Sequence, residues 1–134
     1  IVGFAGETEE EFAQTKSFLE EIGFYEMHIF KYSRRAGTRA AVMPNQVSDQ
    51  IKAKRSDVLL ELEKRQSLDY RKSFLGKEEE VLLEEETKIG GVTYLIGYTK
   101  EYVKVAYPAE LGARNMLVRG QLVEMLTDEI LLMR

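Results

Sequence analysis

The first ten residues, Ile1-Val2-Gly3-Phe4-Ala5-Gly6-Glu7-Thr8-Glu9-Glu10, constrain the fold more than any other stretch. They read as a β-strand, a tight glycine turn and a helix start. Thr8 and Glu11 form a Thr-x-x-Glu capping box, in which each side chain satisfies a free backbone donor. Phe12, Thr15, Phe18, Leu19 and Ile22 then recur at helical spacing. Gly23 stands where a left-handed C-terminal cap is expected. Phe24 to Tyr32, rich in aromatic and β-branched residues, predicts a second strand. The order β-α-β makes those two strands parallel. A parallel sheet needs cover on both faces, which two strands and one helix cannot supply. The chain also begins inside a strand, without Met. The expectation is an excised piece of a larger α/β enzyme, joined to a complete small β domain.

The rest of the chain divides into two further segments. Val47 to about Leu75 predicts a charged connecting helix, with Ser48 as N-cap and Asp49 in the first turn. Ile51, Val58, Leu59 and Leu62 give it a narrow apolar stripe, and it ends near Gly76. From Lys77 onward the pattern is all-β. Val81 to Leu83, Val92 to Tyr98, Tyr102 to Tyr107, Asn115 to Leu126 and Ile130 to Met133 are five candidate strands. Gly90-Gly91 marks a hairpin turn, Thr99-Lys100-Glu101 a short connection and Thr127-Asp128-Glu129 the last turn. Gly120 interrupts its strand and suggests a bulge. Five short strands suit a small closed antiparallel barrel of a kind that often binds oligonucleotides. The fold class is therefore α+β: a partial β-α-β unit (1–46), a linker helix (47–75) and a five-stranded antiparallel β barrel (76–134).

Composition narrows the function classes. The 134 residues are 44% hydrophobic, a normal globular share. No apolar run reaches the roughly eighteen residues that cross a bilayer, so no membrane partner is expected. There is no cysteine, which excludes thiolate metal sites and disulfides within this stretch. These features favour a cytoplasmic protein. A net charge of −4 argues against a generally basic nucleic-acid binder. The distribution is uneven, however. Glu78–Glu80 and Glu84–Glu86 are acidic runs, read as a solvated strand edge. The centre carries Lys31, Arg34, Arg35, Arg39, Lys52, Lys54 and Arg55, the better footprint for RNA.

Several residues are candidates for chemistry, each with a plainer alternative. Gly3 to Thr8 sit at the C-terminal end of a strand, where α/β proteins place ligands. The same residues also fit a simple β-to-α turn with a good cap. In Tyr32 to Thr38, Arg35 can hold a phosphate or carboxylate through its planar fork; a solvated loop is the alternative. His28, the single histidine, is expected to pack in the core, since no second ligand accompanies it for a metal. Tyr94, Tyr98, Tyr102 and Tyr107 could stack bases or fill the barrel.

Taken together, these residues resemble the C-terminal part of radical SAM methylthiotransferases acting on tRNA. The pattern I-V-G-F-P-G-E-T-E-E-x-F matches Ile1 to Phe12, with Ala5 in place of proline. Y-S-x-R-x-G-T-x-A matches Tyr32 to Ala40, with Ala36 where proline is common. Met43 to Val47 is similar to the subgroup that modifies threonylcarbamoyladenosine beside the anticodon. Lys54-Arg55-Ser56 and Phe74-Leu75-Gly76-Lys77 match the linker and the entry to a TRAM domain, a small RNA-binding barrel. Gly97 to Val105 matches G-[HY]-T-x-N-Y-x-x-V, with Glu101 replacing Asn. The resemblance implies a parent that forms 2-methylthio-N6-threonylcarbamoyladenosine. It implies S-adenosylmethionine near Gly3, Gly6 and Glu7, and 4Fe-4S clusters held by cysteines outside this chain. The fragment alone should then be inactive. The tRNA anticodon stem-loop is the expected partner, contacted by Arg34, Arg35, Arg39, Tyr98, Thr99, Tyr102 and Lys104. Self-association through the truncated segment is a further expectation. A non-catalytic RNA-binding module is the competing reading.

Overall fold

The computed structural model describes residues 1–134. Two compact units make up the chain, Ile1–Ser67 and Leu68–Arg134.

In the first unit, helix α1 spans Glu9–Ile22. Its start is closed as the sequence predicts. The Glu11 amide donates to Thr8 Oγ1 (3.1 Å), and the Thr8 amide donates to Glu11 Oε2 (2.8 Å). Gly23 ends it in the left-handed conformation at φ 67°. The two predicted strands run parallel but reduce to one bridge, Val2 with Lys31. The Val2 amide donates to Phe30 O, and the Tyr32 amide to Val2 O, both at 2.8 Å. Phe24 to Ile29 form no ladder. A strand exists only where a neighbour takes its backbone groups, and these residues have none in this chain.

Helix α2 spans Asp49–Lys72 and carries residues of both units. Ser48 Oγ accepts from the Ile51 amide, as an N-cap should. The predicted apolar stripe is corrected at its start. Ile51 is exposed, and Lys52, Arg55 and Ser56 are buried with Leu59 and Leu62. Long cationic side chains can bury their stems when their heads find partners, and both heads do so here. Val2, Phe12, Leu59 and Leu62 form the core, with Leu19, Met27, Ile29 and Val58 packed against it.

In the second unit, β1 (Glu78–Ile89), β2 (Val92–Tyr98), β3 (Lys104–Pro108), β4 (Leu117–Met125) and β5 (Leu131–Met133) pair in the order β1-β2-β3-β5-β4. β4 returns to pair with β1, so the hydrogen-bonded ring closes. It is not all antiparallel. β3 and β5 run parallel, with Val105 opposite Leu131 and Ala106 opposite Leu132. Arithmetic requires this: strand directions can alternate around a closed ring only when the strand number is even. Val81, Leu83, Leu95, Val103, Val105, Val118, Leu122, Leu131 and Met133 fill one core with Phe74. Ile96, Ala106 and Leu132 form a smaller cluster.

Three local expectations meet the structure here, and one of them, at Gly120, changes. Glu78–Glu80 pair only with β4 and Glu84–Glu86 only with β2, so each acidic run has one flank of β1 without a partner strand, as a solvated edge would. A register shift between Leu83 and Glu85 lets three consecutive glutamates remain exposed. Gly120 is in register with Glu79 and makes no bulge; the irregularity in β4 falls between Leu122 and Glu124. Gly120 lacks a side chain for another reason, since a Cβ there would lie 2.7 Å from the Arg134 carbonyl oxygen. The Gly90-Gly91 turn holds, with φ of 57° and 84°.

Candidate functional site

The glycine turn is set by contacts that reach it from α2. Gly3 is buried at φ 73°, and a Cβ on it would overlap Lys52 Cγ. Its amide donates to Glu7 Oε1 (2.9 Å). The Gly6 amide donates to Asn45 O (2.8 Å) and the Glu7 amide to Phe4 O (3.0 Å). Gly6, at φ 85°, has no atom within 4 Å of where a Cβ would stand. Beside it runs a cleft of about 620 Å³, lined by Phe4, Gly6, Glu7, Gln14 and Phe18 among others. The Gly3, Gly6 and Glu7 amides are thus satisfied internally, and the open side at Gly6 is a surface for close approach.

Arg55 is the part of this site that the sequence did not reveal. It is 4% exposed. Its Nη1 donates to Glu7 Oε1 (2.6 Å) and to Glu7 O (3.0 Å), and its Nη2 to Glu9 Oε2 (3.1 Å). The guanidinium carbon lies 5.4 Å from the Phe12 ring centroid. Burial alone would lower the pKa of Arg55. The hydrogen bonds and charges of Glu9 and Glu7 outweigh it and leave the pKa raised. The guanidinium therefore clamps the turn as a permanent cation. Forty-eight residues separate Arg55 from Glu7, so no local spacing signals the pair.

The loop after the bridged segment carries Arg34, Arg35 and Arg39, all exposed. Arg34 Nε donates to Ala41 O (2.7 Å), which orients it. Arg35 offers its carbonyl to Thr38 Oγ1 (2.8 Å), closing a turn at Gly37. Arg39 leads into a short 3-10 turn, Ala40–Val42. A second cleft, of about 840 Å³, lies between Lys31–Arg34 and Gln46–Lys52. His28 is on the surface, 3.8 Å from Glu26, and not in the core. Met27 and Ile29 on either side of it pack against the core, so the alternation along this extended segment turns His28 to solvent.

In the second unit the candidates gather at the β2–β3 connection. Tyr98 and Lys104 are register partners at its base. Thr99 is 4% exposed and organises the loop. Its Oγ1 accepts from the Glu101 amide (3.2 Å) and the Val103 amide (3.3 Å), and its own amide donates to Val103 O (3.0 Å). Tyr102 is held at φ 62°, rare for a residue with a side chain, and is 76% exposed. One carboxylate oxygen of Glu101, Oε2, is buried without a hydrogen-bond partner. Tyr94 and Tyr107 are half-buried against the two barrel cores. No group of three or more His, Cys, Asp or Glu residues is arranged to hold a metal ion. No helix is long and apolar enough to cross a membrane.

These features define an α+β chain with a clamped glycine turn at a strand end and a closed five-stranded unit displaying aromatics. No protein-family profile matches it. Curated proteins do. It is 35% identical, over 97% of its length, to the Bacillus subtilis threonylcarbamoyladenosine tRNA methylthiotransferase MtaB, covering 32% of that protein. The Thermotoga maritima MtaB is 43% identical over 78% of the chain and 21% of its own length. A tRNA-2-methylthio-N(6)-dimethylallyladenosine synthase from Acetivibrio thermocellus is 47% identical over 88% of the chain and 24% of its own length. The chain is a homologue of the tRNA methylthiotransferases across most of its own sequence, and spans about a third or less of theirs.

Proposed function

We propose that this chain is part of a longer radical SAM enzyme that methylthiolates N6-threonylcarbamoyladenosine beside the tRNA anticodon. The observation that carries the reading is the similarity to tRNA methylthiotransferases along nearly the whole chain. The clamped turn and the basic loop at one strand end agree with it. In this reading residues 1–46 close the radical SAM barrel, 47–75 link, and 76–134 form a TRAM domain. The enzyme works in the cytoplasm, and the isolated chain, with Ile1, Phe18, Phe30 and Val42 exposed in its first unit, self-associates.

The cofactors differ in how they fit these residues. Iron–sulfur clusters need thiolates, and the chain has none, so its residues hold no cluster and take no part in ligating one. S-adenosylmethionine fits the turn as a packing surface: Gly6 is open and the adjoining cleft mixes aromatic and polar walls. When bound, it supplies the methyl group and the radical. Gly6 allows backbone approach, and Gly3 shapes the turn behind it by leaving room for the Lys52 stem. Glu7 contributes by tying the Gly3 amide to Arg55, which fixes the turn before binding. For RNA, Arg34, Arg35 and Arg39 contact phosphate, and Tyr98 and Tyr102 stack on unpaired bases, with Thr99 holding the loop and Lys104 adding charge. Stacking of this kind is worth about 1–3 kcal/mol per base.

The test uses the complete protein with reconstituted clusters, S-adenosylmethionine, a reductant and a sulfur source. Given tRNA bearing threonylcarbamoyladenosine, nucleoside mass spectrometry should find the 2-methylthio product. Tight tRNA binding without product would favour the non-catalytic RNA-binding module instead.

A further inference from the structure

The relatives differ in what their names place on the adenine N6: a threonylcarbamoyl group in some, a dimethylallyl group in others. The first ends in a carboxylate and a hydroxyl; the second is a hydrocarbon. Identity does not separate them, since both kinds match this chain at similar levels. The chemistry of the cleft does.

We propose that the cleft between Lys31–Arg34 and the start of α2 receives the threonyl carboxylate of the substrate nucleoside, and that Lys31 and Lys52 decide for it. The inference rests on the tRNA-modifying reading above. The cleft opens where the bridged segment containing Lys31 ends, the side on which parallel strands present ligands. Its volume, about 840 Å³, is ample for a nucleoside substituent. Lys31, Arg34 and Lys52 line it against one acid, Asp49. The Asp49 side chain is 99% exposed and 3.2 Å from Lys52 Nζ, so water screens much of its charge. Lys52 is 7% exposed, and a cation with little water around it attracts an anion more strongly. The first turn of the 24-residue α2 adds the positive end of its dipole at the same wall. Tyr32 also lines the cleft, and its hydroxyl is buried with no hydrogen-bond partner. A hydrocarbon placed there would leave the Tyr32 hydroxyl unpaired and cover the Lys31 and Lys52 cations without offering them an anion, which sites built for polar ligands do not tolerate.

The same cations could instead take a backbone phosphate. The experiment separates the two. Three anticodon stem-loops, identical except at the N6 group, carry threonylcarbamoyl, its methyl ester or dimethylallyl. Their binding to the complete protein is measured by fluorescence anisotropy. The native protein should hold the acid about tenfold or more tighter than the ester, the scale of one charge-assisted hydrogen bond. Lys31→Met and Lys52→Met should each remove most of that preference while changing affinity for the ester by less than about twofold. Lys52→Arg should keep it. Lys52→Met retains the aliphatic stem beneath Gly3, and Lys31 is exposed, so the second variant decides the matter if the first misfolds. Equal binding of acid and ester by the native protein would overturn the proposal. So would variants that weaken all three stem-loops alike, the signature of a phosphate contact. Failure to bind any stem-loop would instead refute the tRNA-modifying reading itself, and this proposal with it.

Discussion

Gly97→Ala should be the most damaging single-methyl change in the chain. Gly97 lies in β2 opposite Leu83, and a Cβ there would overlap the Leu82 carbonyl oxygen and stand 2.7 Å from Val81 Cγ1. The first obstacle is backbone on a hydrogen-bonded partner strand, so no rotamer change can clear it. Overpacking costs about 1–3 kcal/mol when side chains can yield, and here the upper end applies. For a unit of this size that corresponds to a loss of about 12–24 °C in Tm. Gly112→Ala is the matched comparison. Its Cβ would meet only the tips of Leu83, Leu95 and Tyr107, at 3.0–3.3 Å. Those can shift, so the cost should stay below about 1 kcal/mol. Equal drops in Tm for the two variants would show that the β1–β2 approach is looser than these distances require.

The second large effect belongs to Arg55. Replacing it by Met keeps much of the buried volume but leaves Glu7, whose side chain is 16% exposed, without its cation. Removing one member of a buried pair costs about 3–5 kcal/mol. Glu9, 77% exposed, can turn to water, and Glu7 keeps the Gly3 amide, so about 3 kcal/mol is expected. Arg55→Lys retains charge but cannot serve both carboxylates through a planar fork, and should lose about half as much. Adding Glu7→Gln to Arg55→Met should restore part of the loss, because the two residues act as one unit. Chemical denaturation of the chain reads all of these. A cost for Arg55→Met within about 0.5 kcal/mol of zero would contradict the clamp.

What the sequence disclosed and what it hid follow from the range of the interactions. The capping box at Thr8 and Glu11, the Gly23 cap and the Gly90-Gly91 turn are made by residues within four positions of one another, and all are present. The five strands are also legible, though β1 is longer than its apolar centre because glutamates of low strand propensity are carried along by pairing, Glu78–Glu80 with β4 and Glu84–Glu86 with β2. The parallel β3–β5 seam was implied by an odd strand count but needs the closed ring to be known first. In the sequence Arg55 and Lys52 belong to a basic stretch suited to RNA, and Arg55 to the linker match; that they set the glycine turn is hidden, because Glu7 and Gly3 lie far away along the chain. Ile51, by contrast, fits the helical period and is nevertheless exposed. The residues of the glycine turn were visible; the reason for the turn's shape was on another helix.

The most direct test of the central claim is made in the cell. Total tRNA is digested to nucleosides, with and without the gene that encodes this chain, and the modified adenosines are resolved by mass spectrometry. Loss of the gene should abolish 2-methylthio-N6-threonylcarbamoyladenosine and raise N6-threonylcarbamoyladenosine correspondingly, with both reversed when the gene is returned. An unchanged level of the methylthiolated nucleoside, in a strain with no second such gene, would contradict the account.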